Sequence, residues 1–305
     1  MPRVAGLPED DVCAVLAGGD LELRGRLTDA SNATLLARVT VGATSLPCVY
    51  KPVRGERPLW DFPPATLARR EVAAYELSRA SGLGVVPPTV FRDGPVGPGS
   101  LQVWVGDGAT DEDGDPVLVE GGAGVIDIVR PDRVPGGWRP VLAGEDGAGR
   151  PVVLAHADDP ALRAMAVFDA VSNNADRKAG HVLRDVGGRL FGVDHGLTFH
   201  TDHKLRTVLW GFGDEALGPD LVAVLERLAE QLAPAGVLRS RLLELLDPAE
   251  VERTRRRAGR LLEVGVFPAP REGYPTVPWP LFLAGLTYCR RVTAWPAPAV
   301  PALPG

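Results

Sequence analysis

Residues 65–80, Ala-Thr-Leu-Ala-Arg-Arg-Glu-Val-Ala-Ala-Tyr-Glu-Leu-Ser-Arg-Ala, hold neither Gly nor Pro in a chain that carries 29 prolines. The run is rich in helix formers and predicts a helix ended by Ser81-Gly82. Its surroundings narrow the fold further. Upstream, Leu21–Leu27 and Thr34–Val41 read as two strands joined by the polar turn Thr28–Ala33, a hairpin, and Leu46–Lys51 reads as a third strand closed by Pro52. A short amphipathic helix is expected over 8–18, and two more strands near Thr89–Arg92 and Ser100–Val105. Downstream the pattern turns helical. A helix capped by Asp158 or Asp159, with Pro160 in its first turn, runs to about Ser172. Two short strands follow around His181–Leu183 and Leu190–Val193, then helices over 215–232, 236–246 and 248–264. There is no internal repeat.

Between these halves lies an acidic, Gly-rich segment, 106–124, with Asp107, Asp111, Glu112, Asp113, Asp115 and Glu120. It does not match the ligand spacing of a calcium loop and reads as a solvated boundary. Nine of the 29 prolines fall in 268–305, so this tail is expected to be extended or disordered. The domain reading is therefore a β-rich part over 1–105, a helical part over 106–267 and the tail over 268–305.

Several function classes are disfavoured. A formal charge of −6 lacks the basic footprint of a nucleic-acid binder. No apolar run approaches the ~20 residues of a membrane span, and the amino terminus lacks a signal peptide's apolar core. Cys13, Cys48 and Cys289 are odd in number and widely spaced, as free thiols in a reducing compartment would be, so a cytoplasmic location is expected.

The scarce polar residues are concentrated. The chain has three Asn and three Lys, and Val171-Ser-Asn-Asn-Ala-Asp-Arg-Lys-Ala-Gly-His181 holds Asn173, Asn174, Asp176 and Lys178. His181, His195, His200 and His203, four of the five His, fall within the next 25 residues. With 30 Arg against 3 Lys, a surviving Lys hints at a place where a compact ammonium is needed. His195, His200 and His203 with Asp194 or Asp202 match no zinc spacing, so nearby supporting or surface roles are the expectation. Glu252-Arg-Thr-Arg-Arg-Arg-Ala-Gly-Arg260 is either a solvated helix face or a holder of an anionic group.

A β-rich lobe, a linker and a helical lobe with an Asp-bearing loop is the layout of a phosphoryl-transfer enzyme of the kinase type. The fold class expected is α+β, a two-lobed protein-kinase-like fold with a small β-rich N-lobe and a larger helical C-lobe. Its parts can be sought one by one. Lys51 ends the third strand, Glu71 lies on the next helix, and Asp176 and Asp194 sit in loops 18 residues apart. A lone Lys–Glu pair would read as a surface ion pair; the strand–helix order and the loops downstream give it another meaning.

The segment Phe168-Asp169-Ala-Val-Ser-Asn-Asn-Ala-Asp176-Arg177, followed by Val193-Asp-His-Gly-Leu-Thr-Phe199, resembles the catalytic region of phosphatidylinositol 3-/4-kinase-like proteins. It is most similar to an actinobacterial branch related to type II phosphatidylinositol 4-kinases and the actin-fragmin and HipA-type kinases. The resemblance spans roughly Lys51 to Phe199. It implies that Asp176 takes or orients the acceptor hydroxyl and that Asp194 binds Mg²⁺. Lys51 and Glu71 would form the phosphate-anchoring pair. Gln102-Val103-Trp104-Val105 would be a hinge whose backbone holds adenine, and the turn Ser31-Asn32-Ala-Thr34 would cover the phosphates.

There is no Gly-x-Gly-x-x-Gly loop, so Ser31, Asn32 and Thr34 would have to donate instead; a P-loop is excluded because no Gly-Lys-Ser/Thr occurs. His181 stands where the family has a second metal-binding Asn. Either it is not a ligand, or the second site prefers Mn²⁺, or Asn173 or Asn174 supplies the amide. The implied function is ATP-dependent transfer of the γ-phosphate to a hydroxyl of a lipid, protein or small molecule. The alternatives are a HipA-like protein Ser/Thr kinase and a nucleotide-binding pseudokinase with a regulatory role.

Overall fold

Alternating half-buried strands closed by Pro and Gly, then long Gly-poor helices, produce a mixed α and β protein. The computed structural model describes residues 3–4, 6–27, 32–117, 121–271, 275–281 and 292–294. Ser31, Glu120, Cys289 and most of the Pro-rich tail lie outside the described residues.

A minimal pair, β1 (Arg3–Val4) and β2 (Leu7–Pro8), precedes α1 (Glu9–Gly18). The predicted hairpin is β3 (Asp20–Leu27) with β4 (Leu35–Val41), and β5 (Thr44–Pro52) adds to it in antiparallel register. The predicted helix follows as α2 (Leu67–Ser81), stopped by Gly82 at φ +77°, a left-handed conformation that glycine adopts at low cost. Then come β6 (Thr89–Gly94) and β7 (Gly97–Val103). One antiparallel sheet results, ordered β13-β3-β4-β5-β7-β6, in which β13 (Val292–Ala294) returns from the tail to pair with β3.

Residues 126–157, for which the sequence predicts no element, form a second antiparallel sheet. Its strands are β8 (Ile126–Val129), β9 (Trp138–Glu145) and β10 (Pro151–Ala157), in the order β8-β10-β9. The rest agrees closely with expectation. Helix α3 (Pro160–Ser172) is capped by Asp159, whose carboxylate accepts from the Ala161 N–H at 2.7 Å. The short hairpin is β11 (Val182–Arg184) with β12 (Leu190–Gly192). Helices α4 (Pro219–Gln231), α5 (Val237–Leu243) and α6 (Pro248–Val264) complete the chain's helical part. Among the described residues no helix is long and apolar enough to cross a membrane.

Two hydrophobic clusters organise these elements. One lies on the first sheet and reaches Leu183, Phe191 and Val193 around β11 and β12. The larger gathers α2 with α3, α4, α5 and α6. Eleven of the fifteen residues of α2 are buried, among them Arg70 and Glu71. A helix buried on nearly every side must satisfy its charges internally. Arg70 does so through Glu250 of α6 at 2.6 Å and the Thr198 carbonyl at 2.7 Å. Glu250 also accepts the Asp247 N–H at 3.2 Å, closing the capping box of α6.

Glu250→Ala therefore leaves a buried guanidinium unpaired and removes a cap, and is expected to cost about 3–5 kcal/mol in urea unfolding. Glu250→Gln, which can keep the cap but not the charge, is expected to fall between it and the parent.

Candidate active site

The end of α3 sets the first part of the site. Asn173 stops the helix at φ +55°, a left-handed conformation Asn tolerates better than most residues. Its amide nitrogen donates to the carbonyls of His200 (3.0 Å) and Asp202 (2.7 Å), and its oxygen accepts the Lys204 N–H (2.9 Å). Asn174 is wholly buried; it donates to Asp169 at 2.9 Å and accepts the Asp176 N–H at 3.0 Å, closing an Asx turn. Asp176 emerges from this turn with its carboxylate 2.9 Å from the Lys178 ammonium.

Beneath the loop lies a fully buried ion pair. Arg177 meets Asp169 through Nε and Nη2 at 3.0–3.2 Å, and Thr207 adds a hydroxyl to Asp169 at 3.2 Å. The same guanidinium donates to the Val193 carbonyl (3.2 Å) and to His195 Nε2 (2.7 Å). It fits only because residue 192 is glycine; a Cβ there would stand 2.7 Å from Arg177 Nη1. One arginine thus fixes the Asp176 loop to the loop that carries Asp194.

Asp194 follows β12 at φ +59°, a left-handed conformation costly for a residue with a side chain and characteristic of functional positions. Its carboxylate is 47% exposed, with one oxygen 2.9 Å from the Lys51 ammonium. Lys51 also bonds Glu71, which is buried and whose second oxygen accepts the His195 N–H at 2.9 Å. Residues 51, 71 and 194 therefore form one connected group.

Two ammoniums, Lys51 and Lys178, face three carboxylates, Glu71, Asp176 and Asp194, and the Arg206 guanidinium adds positive charge near Asp176. Burial pushes Glu71 up, opposed by Lys51. Burial also disfavours the charge on Asp194, but Lys51 overrides it and holds that carboxyl well below its usual range. Asp176 is raised to about 6 by burial, with Lys178 acting against the shift. The accessible oxygens of Asp194 suit a hard divalent cation.

His181 is buried and pushed down to about 3 by desolvation, so its ring is neutral. Its Nδ1 lies 3.5 Å from the Lys178 N–H, an arrangement that puts the ring proton on Nε2, which faces Asp194 at 3.5 Å and has no other partner. In this arrangement His181 is placed to donate towards Asp194, and as the predicted ligand it would have to carry its proton on Nδ1 instead. The Asn173 amide is engaged by residues 200–204, and the Asn174 amide by Asp169 and the Asp176 N–H. Among the described residues no three His, Cys, Asp or Glu converge to hold a metal unaided. Asp194 remains, and Mg²⁺ commonly takes one or two carboxylates and completes its shell with phosphate and water oxygens.

The predicted hinge joins the same place. Gln102, Val103, Trp104 and Val105 line a narrow cleft with Val49, Lys51, Leu183 and Val193. The Val103 and Trp104 N–H groups are taken by the carbonyls of Pro88 (3.0 Å) and Pro47 (2.9 Å), and the Gln102 amide donates to Thr89 at 2.8 Å. Within this segment the open backbone donor among the described residues is the Val105 N–H. Residues 32–34 of the predicted phosphate-covering turn are engaged within the chain. Asn32 accepts the Arg57 N–H at 2.8 Å, and the buried Thr34 hydroxyl turns to the Asn32 carbonyl at 3.4 Å. These side chains brace the turn against 53–57, where Gly55 sits so close that a Cβ would be 2.3 Å from that of Ala33.

Sequence reasoning did not single out Asp169, Arg177 or Lys178 as site residues. Asp169 and Arg177 stood in the segment that carries the family resemblance, and Lys178 was one of three lysines.

No family model matches the chain. It is 48% identical over 273 residues to Protein Rv2133c of Mycobacterium tuberculosis (strain ATCC 25618 / H37Rv), a span covering 90% of this chain and 96% of that protein.

The raised Asp176 makes stability depend on pH. The folded chain holds this proton more tightly than the unfolded chain, so the contribution of Asp176 to stability is greatest below about pH 4 and is lost as pH rises through about 6. Asp176→Asn removes that loss and is expected to exceed the parent by about 3 kcal/mol at pH 8, since each tenfold change in proton affinity corresponds to about 1.4 kcal/mol. The gap should close near pH 4 in a series of thermal melts; a gap equal at every pH would rule out buried charge as its source.

Proposed function

The chain belongs to the family of the mycobacterial Protein Rv2133c, and we propose that it is an ATP-dependent phosphotransferase that moves the γ-phosphate to a hydroxyl acceptor. The observation that carries this reading is the Lys51 ammonium bonded to both Glu71 on α2 and Asp194, a residue 143 positions later. Phosphoryl transfer rests mainly on positioning and electrostatic stabilisation, and it needs such a cation beside a carboxylate that can share a metal with the phosphates.

The two-lobed, kinase-like arrangement is part of this reading. It is supported by a cleft walled by β5 and β7 on one side and by Leu183 and Val193 on the other. An adenine would lie between these apolar walls, with the Val105 N–H as donor. Glu71 would hold Lys51 from its buried side, leaving the ammonium to turn from Asp194 towards the phosphates. Mg²⁺, held by Asp194, would neutralise the phosphate oxygens. Asp176 would accept the acceptor's proton as the acceptor oxygen bonds to the γ-phosphorus and the bond to the ADP oxygen breaks. Lys178, beside Asp176, would face the charge carried across. His181 would steady Asp194 through its Nε2–H.

An ATP-consumption screen of the purified chain against lipid, protein and small hydroxylated acceptors tests the reading. Turnover is expected to fall at least about 100-fold in Asp176→Ala and Asp194→Asn, the scale on which a positioned base or a charge-stabilising group contributes. Tight ATP binding without γ-phosphate loss in Mg²⁺ or Mn²⁺ would instead make the protein a nucleotide-binding regulator. In an active protein, kcat is expected to fall on the acid side around pH 6 as Asp176 takes up its proton.

Because His181 is placed as a donor to Asp194, His181→Asn is expected to leave the Mg²⁺ to Mn²⁺ activity ratio unchanged. A changed ratio would restore the imidazole to the metal.

A further inference from the structure

The Arg-rich face of α6 plays no part in the site above, yet it borders a well-defined cavity. A pocket of about 490 Å³ opens between α3, the segment 201–205, α6 and the stretch 266–269. Its floor is apolar, with Leu205, Leu261 and Phe267. One wall carries Arg253, Arg256, Arg257 and Arg260, spaced as successive positions on a single helix face.

The four arginines are not equally satisfied. Arg256 and Arg260 are paired along the helix with Glu252 and Glu263, each at 2.9 Å. Arg257 spends Nη2 on the carbonyls of His200 and Thr201, while its Nη1 is shielded from solvent with no partner. A buried charged donor without an acceptor is costly and calls for a ligand or a structural reason. Burial and the charge of Arg253 push Arg257 down to about 10, the mark of a guanidinium lacking a counter-ion. Among the described residues Arg253 has no ion pair. Asp214 lines the pocket too, yet it forms no ion pair with any of the four. Cations above an apolar floor match a molecule with an anionic head and an apolar body.

We propose that this pocket binds an amphiphilic anion, its phosphate or carboxylate head held by Arg253 and Arg257 and its apolar body laid over Leu205, Leu261 and Phe267. Bidentate arginine suits such oxygens better than any other side chain. The site is independent of the phosphotransferase reading, but it adjoins the candidate active site. The His200 carbonyl that accepts from Arg257 also accepts from Asn173, at the root of the Asp176 loop. The ligand could come from a membrane lipid or from a soluble phosphate or carboxylate ester, and the chemistry is shared.

Titration calorimetry on the full chain tests this with octyl phosphate below its micelle concentration, inorganic phosphate and 1-octanol. Octyl phosphate is expected to bind saturably and at least about tenfold more tightly than either half alone, a gap of about 1.4 kcal/mol. Arg253→Gln, on the exposed helix surface, and Val264→Asp, at a wall residue 44% exposed, should each weaken it about tenfold while melting near the parent temperature. Inorganic phosphate binding as well as octyl phosphate, or variants binding like the parent, would overturn the proposal. Flotation with phosphatidylglycerol vesicles that Arg253→Gln abolishes assigns the ligand to a lipid; monomer binding without flotation assigns it to a soluble amphiphile.

Discussion

The buried pair of Asp169 and Arg177 is the constraint on which the candidate site depends. Neither side chain is exposed at all, so each charge gives up its hydration and must be compensated inside the protein. Such a pair adds little net stability, and its value lies in geometry. Asp169 is met by Asn174 and Arg177 of one loop and by Thr207 of another stretch, and Arg177 reaches on to Val193 and His195. Any shift of one loop relative to another would strand a buried charge. Two loops that are separate in sequence are thus held as one rigid body, with Asp176 and Asp194 on its surface.

Around that rigid body the electrostatics are left unsettled. Three carboxylates share two ammoniums, Asp194 is held in a left-handed backbone conformation, and Asp176 holds its proton more tightly than usual. Each of these departures lowers stability, and all fall within one patch. Cores are normally built to avoid such conflicts, so their clustering marks a place shaped for something other than folding.

Much of this was legible in the chain. The helix 65–80, the hairpin before it and the Asp-bearing loops have strong local signatures: absence of Gly and Pro, polar turns, and caps such as Asp159. The scarcity of Lys pointed to three positions. Lys51, Lys178 and Lys204 each pair with a carboxylate, at Glu71 and Asp194, Asp176, and Asp61. Other features left no local trace. The sheet of β8, β9 and β10 keeps much of β9 in solvent, so it lacks the apolar alternation by which strands are recognised. Asn173 and Asn174 look like ligands in one dimension, but their amides are consumed by contacts with residues up to 31 positions away. The role of Arg177 in joining two loops appears only once folding encloses it.

Helix α2 carries a last implication. It bears Glu71 but is wedged among the other helices, and its neighbouring Arg70 is locked to Glu250 and Thr198. A lever needs a free end, and this one has none. Disconnecting Glu71 from Lys51 by swinging the helix would mean prising apart the main core, so this contact behaves as fixed masonry rather than as a latch. Whatever throttles the protein must therefore act on its loops, or on what those loops are given to hold.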